Sequence, residues 1–337
     1  MGLINSGVDV SLYTNNETIN PKINGLKFFD FYKNIFASKS RIINGLKWII
    51  GSVQSIFHAR ISGISIFHFH IFYTNILVLF NLLLVKLLFG RVVLTIHDVA
   101  SLARIGSPSI MSSFIYKLTD LILTHNKFSK DEIIKIDTSL KESIHIVPHG
   151  NYTPFINIQK NKNQSREYLE LPNEKTILLF FGMIKKVKGL EVLLKSLRKV
   201  VDTNSDTVLL IAGRSWENDF AIYQEIIDRN NLSENIILHK KFIPHEDVEH
   251  YYCASDLVVL PYTKIYQSGV LMMALSYEKP ALVSDLPPLK EVVIDNENGF
   301  LFKSEDVNDL TEKLNSILFD KEKLERVRKN GNTLINA

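Results

Sequence analysis

Residues 176–194 read TILLFFGMIKKVKGLEVLL. An apolar run closes at Gly182, three lysines (Lys185, Lys186 and Lys188) crowd the positions that follow, and Gly189 then opens a second pattern. In that second pattern Leu190, Leu193, Leu194, Leu197 and Val201 recur at helical spacing, so the stretch reads as strand, charged turn and amphipathic helix. The strand is apolar on both faces, as a parallel strand must be when helices cover each side of its sheet. A helix start already presents free N–H groups and the positive end of its dipole. Three extra cations there either meet an anion or merely solvate a loop, and spacing alone favours the plainer, solvated reading.

Working outward, short apolar runs alternate with helical segments along the whole chain. The pattern predicts strands at Val10–Thr14, Ile64–His70, Val92–Ile96, Leu121–Thr124 and Ile144–Val147 in the first half. In the second half it predicts Thr176–Phe181, Val208–Ala212, Ile236–His239, Leu257–Leu260 and Ala281–Ser284. Strands and helices in alternation mean an α/β protein with doubly wound parallel sheets. The polar segment 151–172, NYTPFINIQKNKNQSREYLELP, carries two prolines and separates the two sets of strands. We therefore expect a first Rossmann-like domain over 1–155, a linker with a short helix over 156–172, and a second Rossmann-like domain over 173–337, the two facing a cleft. Ligands of such sheets bind beyond the carboxyl ends of the strands, so the loops after strands are where chemistry is sought.

Bulk properties narrow the function. At 337 residues the chain exceeds one ordinary core. A net charge of +3 argues against a dedicated nucleic-acid binder. The charge is uneven: residues 1–150 hold 15 basic against 9 acidic side chains, the remainder 24 against 27. A basic first half suits an anionic lipid or substrate, and a solvated surface accounts for it equally well. The single cysteine, Cys253, makes no internal disulfide, which points to a reducing, cytoplasmic setting. Met1–Val10 lacks the marks of a secretory signal. The apolar run Ile76–Phe89 (ILVLFNLLLVKLLF) is shorter than a membrane span and is interrupted by Asn81 and Lys86. It is read as a buried helix, with a helix lying on a bilayer surface as the sharper alternative.

Four loops stand out. His97-Asp98 ends the strand RVVLTI, and a histidine there either points into the cleft or is tied into a local turn. The lysine loop lacks the GxxxxGK[ST] of a phosphate-cradling P-loop, and no GxGxxG follows any strand. In Tyr266-Gln267-Ser268-Gly269 the serine is placed to cap the helix VLMMALSYE, giving a second helix N-terminus on the same sheet. Ile243-Pro244, after Ile236–His239, offers apolar surface for a flat base.

These residues, taken in order, resemble glycosyltransferase family 4, the retaining enzymes of GT-B fold. FFGMIKKVKGLEVLLKSL, YYCASDLVVLPY, YQSGVLMMALSYEKPALVSDLPPLKEVV and ENGFLF are similar to that family's nucleotide-sugar domain; FHFHI, VVLTIHDV, LILTHNKFSKDEI and HIVPHGNY are similar to its acceptor domain. The resemblance implies that Gly182 lies under the donor diphosphate, with Lys185, Lys188, Ser268 and Gly269 around the phosphates. It places Gln267 and Val270 near the sugar and ribose, Ile243 and Arg214 near the nucleobase, and His97 beside the transferred sugar in a catalytic role. His149-Gly150 matches a loop at the domain junction, where a structural role is as good a reading.

Three departures qualify this. Met183 stands where most members have arginine, and Lys185 holds the position at which one subgroup carries it. The paired glutamates of many members are replaced by Ile265 and Met273, or by Tyr266 and Ala274, depending on the alignment; Gln-Ser-Gly-Val at this loop is similar to the same subgroup. Pro287-Pro288 replaces a glycine pair. The start of the chain resembles the end of a first helix, as though the first strand were missing, and the end stops before the usual final helices.

The resemblance thus implies a metal-independent glycosyltransferase without a cofactor, using a nucleotide-sugar as co-substrate. Its acceptor would be a saccharide or lipid-linked saccharide in envelope or exopolysaccharide synthesis, reached from the cytoplasm or from the inner membrane face; no nucleic acid is expected as a partner. The alternatives are a truncated or degraded nucleotide-sugar-binding protein and a GT-B epimerase.

Overall fold

A computed structural model describes residues 2–99, 110–216 and 220–336. Among these, one compact unit takes residues 2–99, 110–124 and 130–146, and a second takes 125–129 and everything from 147 onward.

The first unit opens with a single helical turn, α1 (Gly2–Asn5), followed by β1 (Val10–Asn15) and β2 (Leu26–Tyr32). Next come α2 (Arg41–Ile61), β3 (Ile66–Ile71), α3 (Ile76–Leu87) and β4 (Arg91–Ile96). It continues through α4 (Ile110–Lys117), β5 (Leu121–Thr124), α5 (Lys127–Ile136) and β6 (Ile144–Ile146). All pairings are parallel, in two sheets: β1-β2, and β3-β4-β5-β6. β2 is absent from the sequence expectation because Lys27 and Asp30 interrupt its apolar residues, whereas in the structure the strand is half-exposed and tolerates them. The predicted strand 64–70 forms two residues later than expected.

Helix α2 inverts the usual amphipathic rule. Its buried residues are Gly51, Ser52, Ser55, Ile56 and Ala59, while Ile43, Leu46, Ile50, Phe57 and Ile61 are exposed. The reason is close approach to β2. A Cβ at Gly51 would lie 2.7 Å from Tyr32 Cδ1, and the Ser52 hydroxyl donates to Tyr32 Oη at 3.3 Å. Similarly, α3 buries Asn81, Leu82 and Val85 but exposes Ile76, Leu83 and Leu87. The expectation of a buried helix at 76–89 is corrected: the run is helical, with one face covered and one bare.

The second unit runs α6 (Lys162–Tyr168), β7 (Thr176–Phe181), α7 (Leu190–Thr203), β8 (Thr207–Ala212), α8 (Ala221–Arg229), β9 (Ile236–His239), α9 (Val248–Ala254) and β10 (Leu257–Leu260). It finishes with α10 (Gly269–Ser276), β11 (Ala281–Ser284), α11 (Pro287–Lys290), β12 (Phe300–Phe302), α12 (Val307–Phe319) and α13 (Lys321–Asn336). Its six parallel strands lie in the order β12-β11-β10-β7-β8-β9. The chain order reverses between β7 and β10, which makes that pair the topological switch point where open α/β sheets take ligands. β12 is the one strand here that sequence reading left as a motif, since three residues are too few for a periodicity. Two hydrophobic clusters, one on each face of the sheet, cover β7, β8, β10 and β11.

Arg166 ties the start of this unit together. Its side chain is 1% exposed and donates to the carbonyls of Ala254, Pro172, Asn173 and Lys175 and to Asp256 Oδ2 at 2.8 Å. Asp256 also accepts from the Ile177 N–H at 2.8 Å, so one buried ion pair joins α6, β7 and β10. Removing a buried arginine of this kind would orphan several carbonyls and leave Asp256 with only Lys162 and the Ile177 N–H.

Candidate donor site at the switch point

The loop after β7 is shaped by two glycines that only glycine can occupy. Gly182 has φ +101 and Gly189 φ +65, both in the left-handed region. A Cβ on Gly189 would lie 1.7 Å from the Pro261 carbonyl oxygen, so the start of α7 rests directly on the loop after β10. Thr263 N–H donates to Val187 O at 3.0 Å and locks the same contact. On the other side, Ile184 N–H donates to Arg214 O at 3.0 Å and Trp216 N–H to Ile184 O at 2.9 Å, pinning the lysine loop to the loop after β8. Gly213 there passes so close that a Cβ would meet Gly182 O at 1.9 Å.

Both lysines chosen from the sequence lie over aromatic rings. Lys185 Nζ sits 4.1 Å from the centroid of Trp216, and Lys188 Nζ 3.8 Å from that of Tyr262. A ring face attracts a cation and holds a long side chain in one place. Lys186 between them is exposed. Met183 is exposed too.

The third loop arrives at the same place. Ser268 caps α10, its Oγ accepting from Leu271 N–H at 3.1 Å. That bond uses the hydroxyl as a structural cap, and the N–H groups at the start of the first turn have no partner within the helix. A Cβ on Gly182 would touch Val270 Cγ2 at 3.4 Å, so the β7 loop and the α10 N-terminus adjoin. Gly269 lies close to Tyr152 and His149: an added Cβ would be 3.0 Å from Tyr152 Oη and 3.8 Å from His149 Nε2. Tyr152 N–H donates to Ser276 Oγ, which fixes this segment on α10.

The structure thus brings together Gly182, Lys185, Lys188, Ser268, Gly269 and Val270 at the carboxyl ends of β7 and β10. Gln267 is half-buried beside them. Arg214 is joined through its backbone and its residue is exposed; Ile243 packs its side chain on the core beside β9. At the positions where carboxylates were sought, Ile265 and Ala274 are buried in the core, as is Tyr266, while Met273 packs against it. A carboxylate at Ile265 or Ala274 would have to lose its water without a partner.

His97 belongs to the first unit, after β4, in a column of rings. His70 Nδ1 and His97 Nε2 are 3.1 Å apart and share a hydrogen bond, His68 stacks on His70 at 4.5 Å, and Phe72 stacks on His97 at 4.8 Å. His68 Nε2 in turn bonds Thr95 Oγ1 at 2.7 Å. Burial pushes both His68 and His70 below the usual histidine pKa, with the mutual charge adding to it for His68. A neutral His70 engages one His97 nitrogen and so orients that ring.

Sequence reasoning missed Trp216, Tyr262, Gly213, Tyr152 and His70. Trp216 carried a signal, being one of two tryptophans in the chain and two residues after Arg214. Tyr262 carried none, because an aromatic after a buried strand reads as core. A surface cavity of about 690 Å³ lies elsewhere, between α4 and α5, lined by Phe114, Lys117, Glu132 and Lys135 among others. It contains none of these residues.

Comparison with known proteins bears on the family and the fold. The family model of the glycosyl transferases group 1 matches residues 161–333. The capsular polysaccharide biosynthesis glycosyltransferase CapM of Staphylococcus aureus is 24% identical over 216 residues, covering 63% of this chain and 56% of that protein. Spore coat protein SA of Bacillus subtilis is 24% identical over 181 residues, covering 51% of this chain and 46% of the relative. The matches therefore span about half the length of these curated relatives. Among solved structures, sucrose-phosphate synthase from Thermosynechococcus elongatus superposes with a TM-score of 0.77 at 17% identity, covering 99% of this chain and 86% of the other. Anabaena HepE in complex with UDP and glucose gives 0.74 at 15% identity, covering 92% and 81%. These likenesses identify the fold as GT-B.

Proposed function

Because the chain belongs to the glycosyl transferases group 1 family, we propose that it moves a sugar, with retention, from a nucleotide-sugar donor to a saccharide or lipid-linked saccharide acceptor. The observation that carries this reading is the meeting of the Gly182 loop with the α10 N-terminus at the switch point of the second sheet, with Lys185 and Lys188 held on the same loop. Structural relatives solved with UDP and glucose support the donor class, and a capsular relative supports polysaccharide synthesis.

The chemistry follows from charge. The acceptor's hydroxyl oxygen bonds the sugar's anomeric carbon as that carbon's bond to the diphosphate oxygen breaks; the nucleoside diphosphate leaves with additional negative charge and takes up the hydroxyl's proton. Donors fixed where that charge develops lower the barrier, because they need no reorganisation during the reaction. In this reading the backbone N–H groups of Gly269 and Val270 and the ammonium groups of Lys185 and Lys188 supply that field, and no metal is required of them. The glycines serve by absence, since a side chain at Gly182 would stand beside Val270 where the diphosphate must pass. His97 Nε2 is engaged by His70, and its ring is assigned to the transferred sugar, with Phe72 stacked against it.

Calorimetry with UDP-, GDP- and ADP-sugars tests the donor assignment. One class is expected to bind the wild type, and Lys185→Ala/Lys188→Ala is expected to lose it. Equal binding by both proteins would remove the phosphate assignment. Turnover unchanged by EDTA, with an α product from an α donor by NMR, would support metal independence and retention.

A further inference from the structure

The bare faces of α2 and α3 carry an inference that goes beyond donor chemistry. On α2, Ile43, Leu46, Ile50, Phe57 and Ile61 all fall within about 40° of one line down the helix, from its 3.6-residue turn. All five are exposed, Ile61 at 82%. The residues turned inward are mostly glycine, serine and alanine. A helix that spends its large apolar side chains on solvent and its small ones on the core has its hydrophobic face directed away from its own protein.

Helix α3 also bares an apolar line, Ile76, Leu83 and Leu87, although its covered face holds Leu82 and Val85 beside Asn81. The two helices converge at their C-terminal ends. Arg60, in the last turn of α2, donates from Nε to Leu88 O at 2.9 Å and from Nη1 to Ile64 O at 2.7 Å. Ile61 is next in sequence to Arg60, and Leu87 and Phe89 flank Leu88; all three are exposed, Phe89 at 91%. Exposed apolar side chains gathered in this way mark an interaction site.

Charge selects the occupant. Neither helix contains a single aspartate or glutamate, whereas they carry Arg41, Lys47, Arg60 and Lys86. Lys39 and Arg41 stand exposed at the start of α2, where the helix dipole adds further positive potential. Nearby acids are already engaged: Asp120 pairs with Lys86 at 2.5 Å and Asp30 with Lys33 at 2.6 Å. On α2 Lys47 and Arg60 fall about 70° to either side of the apolar line, and a line so flanked matches a helix lying in the headgroup boundary of an anionic bilayer. Among the described residues no helix is long and apolar enough to cross a membrane.

We propose that the α2–α3 face docks the first unit onto an anionic lipid surface, with Leu46, Ile50, Phe57 and Ile61 inserted between headgroups and Lys39 and Lys47 facing lipid phosphates. The test is flotation of the chain with phosphatidylcholine vesicles prepared with and without phosphatidylglycerol. The wild type is expected to float with the anionic vesicles and much less with the neutral ones. Leu46→Ser/Ile50→Ser/Phe57→Ser, which alters exposed positions only, is expected to keep the wild-type melting temperature and to bind about a hundredfold more weakly. Lys39→Glu/Lys47→Glu is expected to remove the preference for phosphatidylglycerol.

Absence of wild-type flotation overturns the proposal, as does equal flotation of the serine variant. A wild-type dimer in solution that the serine variant converts to monomer, without vesicle binding, overturns it in favour of a second copy of the chain. Donor binding by calorimetry reads the switch-point site alone, so failure of either proposal leaves the other standing.

Discussion

The two units of this chain are built to the same α/β plan and use apolar residues in opposite ways. In the second unit β8 and β10 are buried along their whole length, with helices over both faces. In the first unit β1 and β2 have no fully buried residue, and β3 alternates buried with exposed positions. Most of the exposed large apolar side chains among the described residues precede residue 147, although that part is the shorter. A closed sheet with a glycine-shaped rim suits a small charged ligand; an open unit with bare helices suits a large partner surface. Composition does not separate the two, because it does not say which way a side chain points.

The largest expected effect tests how closed the second unit is. Arg166→Leu removes five donated hydrogen bonds, orphaning four carbonyls and leaving Asp256 to Lys162 and the Ile177 N–H, so about 3 kcal/mol or more of stability should be lost. In urea unfolding the transition that reports the second unit should shift, with the first unit unchanged. A shift common to both would mean that the units unfold as one.

Next comes the rim. Gly189→Ala places a Cβ against Pro261 O in a left-handed conformation, so the loop must move at a cost of at least about 1–2 kcal/mol. Donor affinity should fall more than melting temperature does, because the displaced residues are those that hold the lysine loop. Lys185→Ala/Lys188→Ala should leave melting temperature within error while weakening donor binding. Charge-assisted bonds contribute about 1.5–3 kcal/mol each, so a loss of about tenfold or more per lysine is expected by calorimetry.

The smallest effect belongs to the first unit. His70 has its pKa depressed by burial, so the unfolded chain binds its proton more readily than the folded one. Stability therefore rises with pH across that window: it is fully present above the ordinary histidine pKa of about 6.5 and is lost as pH falls from there toward the folded value. The groups facing His70 are His68 and His97, with Thr95 bonded to His68. His70→Asn should flatten the fall in first-unit stability below pH 6.5. An unchanged slope would place the acid sensitivity in another group.

Much of the local structure at the candidate site was readable in the chain itself. Buried parallel strands announce themselves as apolar runs, and the carbonyl end of such a strand followed by glycine and lysine is a local pattern. The Ser268 cap was legible for the same reason, since N-capping depends on residues within one turn. Lys188 over Tyr262 and Lys185 over Trp216 were not, because each pair joins loops after different strands. β2 was missed where charge interrupted an exposed strand, and β12 where three residues formed a strand only by pairing with β11.

What the residues determined alone is the alternation of strand and helix, the family resemblance, and the glycines and lysines of the loop after β7. These rest on local conformational preference and on short-range periodicity. Tertiary structure alone decided the split of the first unit's strands into two sheets, the ring column around His97, and the direction in which α2 presents its large side chains. Periodicity reports that a helix has two faces; only the closeness of Tyr32 to Gly51 says that the small face turns inward.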